Sequence, residues 1–355
     1  MSNPIFICTV NGKDYSGWKS GSISRSIENI SGRFNLNITD MVRGQQLPII
    51  RRDDRVKVSV RPQPNAKPIL LLDGWVDKVA VKVGRTVSFK IVGRDLAGDL
   101  VDSDIFERGE WKGLKFEQFV QDLVSDYGIK VVVQAGLDTG DPIPNVKYDQ
   151  GTKIYEVIAK YAQQKRLLCY SLADGRILIA RASEVVSNGA FVEGGNEGNI
   201  LEYSHDSNGT KLFSEYKVKG SHPVQAGETE AEAAQVEGEA KDTRQKRLRR
   251  LLIIPDSSQR RVSAQDRAEW EMQTRRADAE SYSVKINGWQ PVLNVLALLK
   301  LPSIQFEGNM LISAYTLEFG EKGKTTTLKF VHPDSFTAFP TPQIKKDKKD
   351  SNLNG

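Results

Sequence analysis

Cysteine and histidine are scarce in this chain of 355 residues: Cys8 and Cys169 are the only cysteines, and His205, His222 and His332 the only histidines. No histidine stands at metal-ligand spacing from another histidine or a cysteine, which argues against a zinc site. The signatures HExxH, GxSxG and GxxxxGK[ST] are all missing, and with them the usual short marks of zinc proteases, serine hydrolases and P-loop NTPases. Both cysteines lie in strand-like apolar settings and read as packing thiols of a reduced compartment rather than a disulfide. No run approaches the ~18 apolar residues that a membrane-crossing helix needs. The start, Met1-Ser2-Asn3-Pro4, has neither the basic residues nor the apolar core of a secretion signal. An excess of one charge is lacking too: 50 basic against 45 acidic residues leave +5, too little to argue for nucleic acid. The expectation is a soluble chain made and kept in a cytoplasm, with no membrane partner, no cofactor, no metal and no catalytic residues.

What is present is a repeated block. Arg33 to Thr39 reads RFNLNIT, with Phe34, Leu36 and Ile38 alternating against polar neighbours. Ser281 to Asn287 reads SYSVKIN, with Tyr282, Val284 and Ile286 in the same phase. Each copy is followed by an apolar strand (Val56-x-Val58-x-Val60; Val295 to Leu301) and an apolar-acidic-Gly step, Leu72-Asp73-Gly74 or Phe306-Glu307-Gly308. Each closes on a hairpin with a matching tag, Phe89-Lys90-Ile91-Val92-x-x-Asp95 or Leu328-Lys329-Phe330-Val331-x-x-Asp334. Period-2 alternation between Gly turns signals half-buried antiparallel strands. A strand set used twice predicts two similar β-domains, a device that serves assembly more often than catalysis.

The fold class expected is α+β and β-rich: two similar antiparallel β-barrel domains with a small α+β domain inserted between them. Residues 1–97 read as the first barrel, with a hairpin at Asn11-Gly12 and the clearest hairpin over Val79 to Ile91. Residues 98–182 change period. Phe116, Phe119, Val120, Leu123, Val124 and Tyr127 make one helical stripe, closed at Gly128; Ile154, Val157, Ile158, Tyr161 and Ala162 make a second. A tight hairpin is expected around Asp174-Gly175. Residues 183–336 read as the second barrel, interrupted at 222–250 by a flexible, charge-segregated excursion. Its acidic part holds Glu228, Glu230, Glu232, Glu237 and Glu239; its basic part runs from Lys241 to Arg250. Ser263, with Asp266 three residues on, is expected to cap a helix to about Glu280. The Lys-rich residues 337–355 read as a disordered tail.

Few constellations could carry chemistry. Asp95 and Asp334 end the matching tags, so a shared structural corner explains them better than catalysis. Asp99, Asp102 and Asp104 could be a carboxylate cluster, but a solvated loop into a helix is the plainer reading. The basic run Arg244 to Arg250 lacks the interleaved aromatics of a nucleic-acid face, and reads as neutralising the Glu-rich stretch or as a solvated loop.

The ordered series Gly17-Trp18, Arg25-Ser26-Ile27-Glu28, Gly93-Arg94-Asp95, Asp99-Leu100-Val101-Asp102, Gly109-x-Trp111-Lys112, Phe213-Ser214-Glu215-Tyr216-x-Val218-Lys219-Gly220 and Asn287-Gly288-Trp289 resembles the Mu-type contractile-tail bacteriophage baseplate hub proteins. The likeness runs from about residue 5 to 336. It implies a structural, non-enzymatic virion protein of the tail baseplate, assembled in the host cytoplasm. It further implies a homotrimer whose two tube-like barrels per chain form a pseudo-sixfold ring, adapting a threefold central spike to a sixfold tail tube. The implied partners are that spike, a tail tube or tube-initiator protein and neighbouring baseplate proteins, with no sequence-specific nucleic acid. The excursion at 222–250 and the Lys-rich tail depart from the family pattern. Arg33 to Thr39 and Ser281 to Asn287 are expected among the edge strands, at or near the ring junctions. Two alternatives stay open: a peptidoglycan-binding or peptidoglycan-degrading role in 98–182, and nucleic-acid binding through Arg244 to Arg250 and the tail.

Overall fold

Alternating apolar and polar side chains recur along the chain, and they fold as strands. The computed structural model describes residues 5–42, 49–61, 66–107, 109–143, 145–165, 167–196, 198–220, 236–254, 264–321 and 323–336. The first set is β1 (Ile5–Val10), β2 (Lys13–Tyr15), β3 (Ser20–Ser26), β4 (Arg33–Val42), β5 (Arg55–Arg61), β6 (Ile69–Val83) and β7 (Thr86–Asp95). Asn11 and Gly12 both take positive φ, 49° and 78°, as the two-residue hairpin between β1 and β2 requires. Val56, Val58 and Val60 on β5, and Val87, Phe89 and Ile91 on β7, bury every second residue. The long strand β6 serves two neighbours: its first half pairs with β5 and its second with β7. At the changeover a Cβ on Gly74 would lie 1.9 Å from the Arg94 carbonyl oxygen, so only glycine fits.

The middle of the chain has its own core. It holds α1 (Gly98–Asp102), β8 (Gly109–Trp111), α2 (Phe116–Val124), β9 (Val131–Val133), β10 (Val146–Tyr148), α3 (Ile154–Lys165), β11 (Leu168–Ser171) and β12 (Ile177–Ala180). The two helical stripes meet as their spacing predicts: Phe116, Phe119, Val120, Ile154, Val157 and Ile158 lie in one buried cluster. Gly128, at φ 66°, ends the turn after α2 in the left-handed conformation. The hairpin over Asp174 and Gly175 joins β11 to β12, and β9 adds in parallel to β12.

The chain then runs through β13 (Val186–Val192) and β14 (Ile200–Ser207), and after an intervening segment returns as β18 (Glu280–Asn287), β19 (Leu296–Leu301), β20 (Phe306–Gly320) and β21 (Gly323–Val331). The ladder order of this set is β14-β18-β21-β20-β19-β13; that of the first is β3-β4-β7-β6-β5-β1. The orders correspond strand for strand. β6 and β20 are both 15 residues long, and each shifts register once against its hairpin partner, at Val76/Lys78 and Ile312/Ala314. Lys57 opposes Asp73 as Lys300 opposes Glu307. One expected equivalence is corrected. Ile38 opposes Phe89 and Val284 opposes Leu328, so Val284 corresponds to Ile38, not Leu36. Side chains repeat every two residues, so a two-residue offset keeps the same face buried.

The two sets lie side by side. β20 pairs antiparallel with β3, and the result is one 13-stranded sheet. Their buried side chains form a single cluster, in which Phe6 stacks on Phe319 and meets Trp289 edge-on. The copies differ at one flank, where β1 runs antiparallel to β5 but β13 parallel to β19. Among the described residues neither ladder closes on itself.

The intervening segment is a separate compact unit built on residues 208–279, with β15 (Glu215–Gly220), β16 (Val236–Lys241), β17 (Arg250–Ile253) and α4 (Ala264–Asp278). The strand order is β16-β15-β17, and α4 covers one face through Ala264, Ala268 and Met272 against Tyr216, Val218 and Ala240. A Cβ on Gly238 would fall 2.1 Å from the Ala264 backbone, so helix and strand touch there. This corrects the flexible excursion for 236–250. Its acidic residues pair with bases of the preceding strand: Lys217 reaches Glu237 at 2.6 Å and Glu239 at 3.1 Å, and Lys219 reaches Glu237 at 3.1 Å. Residues 222–235, Ser263 and the tail 337–355 lie outside the described residues.

Candidate assembly surface

Strand neighbours decide which backbone is available for assembly. RFNLNIT and SYSVKIN are not edges: β4 lies between β3 and β7, and β18 between β14 and β21. The expectation that they are edge strands is therefore corrected. An apolar stripe of alternate residues marks a strand with one buried face and does not say whether it has one strand neighbour or two. The junction inside the chain is β3 on β20, with Ile23 opposite Leu317, Gly21 opposite Phe319 and Arg25 opposite Tyr315. It is dry: Ile23 and Leu317 are each 1 % exposed and Tyr315 7 %.

The same positions of the other copy have no such cover. Through the rows Val81-Phe89 and Tyr315-Leu328, Val81 corresponds to Tyr315 and Val83 to Leu317. Val81 is 47 % and Val83 60 % exposed. β5 flanks β6 only as far as Trp75, so the arm from Lys78 to Val83 has a strand on one side alone among the described residues. β14, the counterpart of β3, is among the described residues likewise paired on one side only, to β18. Its residues Glu202, Asp206 and Leu201 are exposed, and His205 stacks on Tyr282 at 4.5 Å. Sequence reading took Val81 and Val83 as ordinary hairpin residues. The usable signal was the length of the arm, matched in β20 by a strand that has a neighbour there.

Across the joined sheet, the face turned from the core is short and polar. Ser283 opposes Lys329, Lys285 opposes Thr327, Thr316 opposes Ser24 and Glu318 opposes Ser22. Two ion pairs bridge it, Lys285 to Glu318 at 3.2 Å and Lys329 to Glu28 at 2.9 Å.

Asp95 ends β7 in a buried corner. Its carboxylate accepts from the Gly32 N–H at 2.7 Å and from the Ser171 hydroxyl, and the Arg25 guanidinium stands 3.7 Å away. Arg25 also donates to the Ser171 carbonyl at 2.6 Å and the Leu71 carbonyl at 3.2 Å. Burial pushes the Asp95 carboxyl up, while Arg25, Ser171 and Gly32 hold it down. The corner thus ties β3, β6 and β7 to β11. Asp334 is exposed, so the two tag aspartates do not share one role. Ser171 was not foreseen; its only signal was a polar residue within the apolar run Leu168 to Leu172.

The other residues singled out in the sequence scatter. Asp102 accepts from Arg94 at 2.6 Å and Asp104 pairs with Lys153 at 2.7 Å, so these carboxylates serve different bases. Among the described residues no group of histidine, cysteine and carboxylate converges as a metal site would. His205 sits on the β14 edge, His332 follows β21, and His222 lies outside the described residues. Of the basic run, Arg249 donates to the carbonyls of Gly209 and Thr210 at 2.7 and 2.6 Å, and Arg250 pairs with Glu215 at 2.7 Å. Burial pushes both cysteine thiols up to about 12.

Comparison with known proteins gives three family matches in chain order. Residues 7–95 match the Mu phage baseplate assembly protein GpP-like N-terminal domain, 97–181 the baseplate hub protein gp44-like second domain, and 260–338 the GpP fourth domain. The chain is 25 % identical over 369 residues to baseplate hub protein gp44 of Escherichia phage Mu, covering all of this chain and 94 % of that one. In fold it is similar to the 43 kDa tail protein of prophage MuSo2 from Shewanella oneidensis, at TM-score 0.79 and 23 % identity over 94 % of this chain and 99 % of the other. It is also similar to a tail protein from Neisseria meningitidis MC58, at TM-score 0.74 and 15 % identity with the same coverage. Residues 98–182, for which a peptidoglycan role was an alternative, fall almost wholly within the second of the three matches.

Proposed function

Since the chain belongs to the Mu-type phage baseplate hub proteins, we propose that three copies of it close into a ring that joins a threefold spike to a sixfold tail tube. Its place is the phage baseplate, and its role there is structural. Each strand set acts as one tube-like barrel unit, the first within 1–97 and the second within 183–336 apart from the compact unit at 208–279, with 98–182 inserted between them. Three chains then supply six near-equivalent units. Heterologous contacts between like units close into a ring when their rotation is right.

The observation that carries this reading is the strand order. Both sets run in the same sequence of six strands, and they already stand edge to edge through β3 and β20. The alternation of two non-identical units keeps the threefold information a spike requires. The short polar face of the joined sheet, rich in serine and threonine, suits the wall of a wet channel. No catalytic step is assigned. Sedimentation equilibrium of the purified chain tests the reading. A mass three times that of the 39.6 kDa chain is expected; a single-chain mass at high concentration contradicts it.

A further inference from the structure

We infer that the ring has two unlike rims: its sixfold partner seats on the end of the strand sets formed by the β6–β7 and β20–β21 turns, and its threefold partner on the opposite end. This rests on the ring reading and adds to it which rim meets which partner. The two sets point the same way. In the ladder that joins them Ala314 faces Ser26 and Phe319 faces Gly21, so the β20–β21 turn lies at the end where β3 begins. The β6–β7 turn lies there too. Ser20, which opens β3, faces Asn37, and β4 runs on from there to Val42 opposite Thr86. Both hairpins close in two residues, Gly84-Arg85 in the first set and 321–322 in the second, although the second runs on through Glu318 to Gly320. The connections from β4 to β5 and from β18 to β19 leave from this same end, so the two sets are built alike here.

At the other end they differ. β3 passes to β4 through the short connection from Ile27 to Gly32, whereas the corresponding step, from Ser207 at the end of β14 to Glu280 at the start of β18, carries the compact unit of residues 208–279. β7 ends at Asp95 and leads into the module of residues 98–182; β21 ends at Val331, and no such module follows among the described residues. That module stays at its end of the set: Ile30 lies in its core, and the Ser171 N–H donates to the Ile30 carbonyl at 3.0 Å. Both insertions thus leave from one end. A sixfold partner must meet six near-equivalent contacts, and the turn end repeats in both sets. A threefold partner needs three, and insertions that alternate around the ring supply each kind three times. The reverse arrangement would set unlike surfaces against a sixfold partner at every second position, a mismatch that specific interfaces penalise. The module also presents Phe106, 90 % exposed, once per chain. Aromatic side chains are favoured anchors in partner pockets, and this one marks the threefold rim.

Photo-crosslinking in assembled phage tails that carry the full chain tests the assignment. A benzophenone amino acid replaces Arg85, Glu321 or Phe106, one position per preparation; all three are exposed. Arg85 and Glu321 are expected to capture the same polypeptide at comparable yield, and Phe106 a different one. Lengthening the Gly84-Arg85 turn with a short Gly/Ser insertion is expected to keep the three-chain mass and the thermal unfolding of the chain, and to stop attachment of the tube. The rim assignment is wrong, with the ring still standing, if the mass is threefold but Arg85 and Glu321 capture different polypeptides, or Phe106 captures the same one as they do. It is equally wrong if neither turn captures anything and the lengthened variant builds complete tails. Capture of another copy of this chain at either turn would put the turns at a chain junction and also overturn it. A single-chain mass at high concentration overturns both readings.

Discussion

Replacing Asp95 by asparagine isolates the energy of the buried corner that links the first strand set to the inserted module. Asparagine keeps the shape and can still accept from the Gly32 N–H, which stands 2.7 Å from the carboxylate. It removes the negative charge 3.7 Å from Arg25, whose side chain is 5 % exposed. A buried charge left without its partner costs about 3–5 kcal/mol. Arg25 retains the Ser171 and Leu71 carbonyls, which places the expected loss near the lower end, about 3 kcal/mol. Arg25→Met should cost a similar amount. The double variant should fall short of the sum by about 1–3 kcal/mol, because neither charge is then orphaned. Hydrogen exchange reads this locally: the amides of β7 and β11 should lose protection together, while those of β16 and β17 keep theirs. A loss under about 1 kcal/mol for Asp95→Asn would refute the reasoning, since the carboxyl would then not be the counter-charge of Arg25.

Three further outcomes are expected. Gly74→Ala should destabilise by about 3 kcal/mol in urea titration, because its Cβ meets the Arg94 carbonyl at 1.9 Å; the corresponding Gly308→Ala, whose Cβ meets nothing nearer than Phe306 at 3.4 Å, should stay within about 0.5 kcal/mol. Asp242 is buried and accepts from Arg276, which holds its carboxyl below the usual range; its contribution is full above the ordinary carboxylate pKa and is lost as pH falls through the depressed value. Asp242→Asn should therefore flatten the acid side of the stability profile of residues 208–279, as followed by exchange of the β15 amides. Cys8 and Cys169, with thiols pushed up to about 12, should resist a thiol reagent at neutral pH in the folded chain and both react in guanidinium.

Much of this architecture is legible in the residues, and the failures have physical causes. The helical stripes of α2 and α3 were readable because a buried face imposes spacings of three and four whatever it packs against. The repeat was readable for the same reason, at period two. Its register was not, since a slip of two residues leaves Tyr282, Val284 and Ile286 on the buried side. The β3–β20 ladder has no local signature: its partners are separated by nearly the whole chain, and hydrogen bonds between backbones leave no mark on side-chain pattern. Residues 236–250 were misread because segregated charge looks like solvation. In the fold Glu237 and Glu239 pair across the ladder with Lys217 and Lys219, and Arg250 with Glu215, over a small core of Tyr216, Val218 and Ala268. The candidate surface was hidden for a related reason. Val81 and Val83 look like core residues in sequence, and only the fold shows that, among the described residues, the β6 arm has one strand neighbour and leaves them exposed.

Electron-microscope class averages of the purified, assembled chain, combined with particle mass, decide whether three chains build the ring. A ring with a sixfold outline, a mass of three chains and alternating strong and weak features that reduce the true symmetry to threefold is expected. A ring of six chains, or particles in which the two strand sets of each chain do not occupy equivalent positions around an axis, would contradict it.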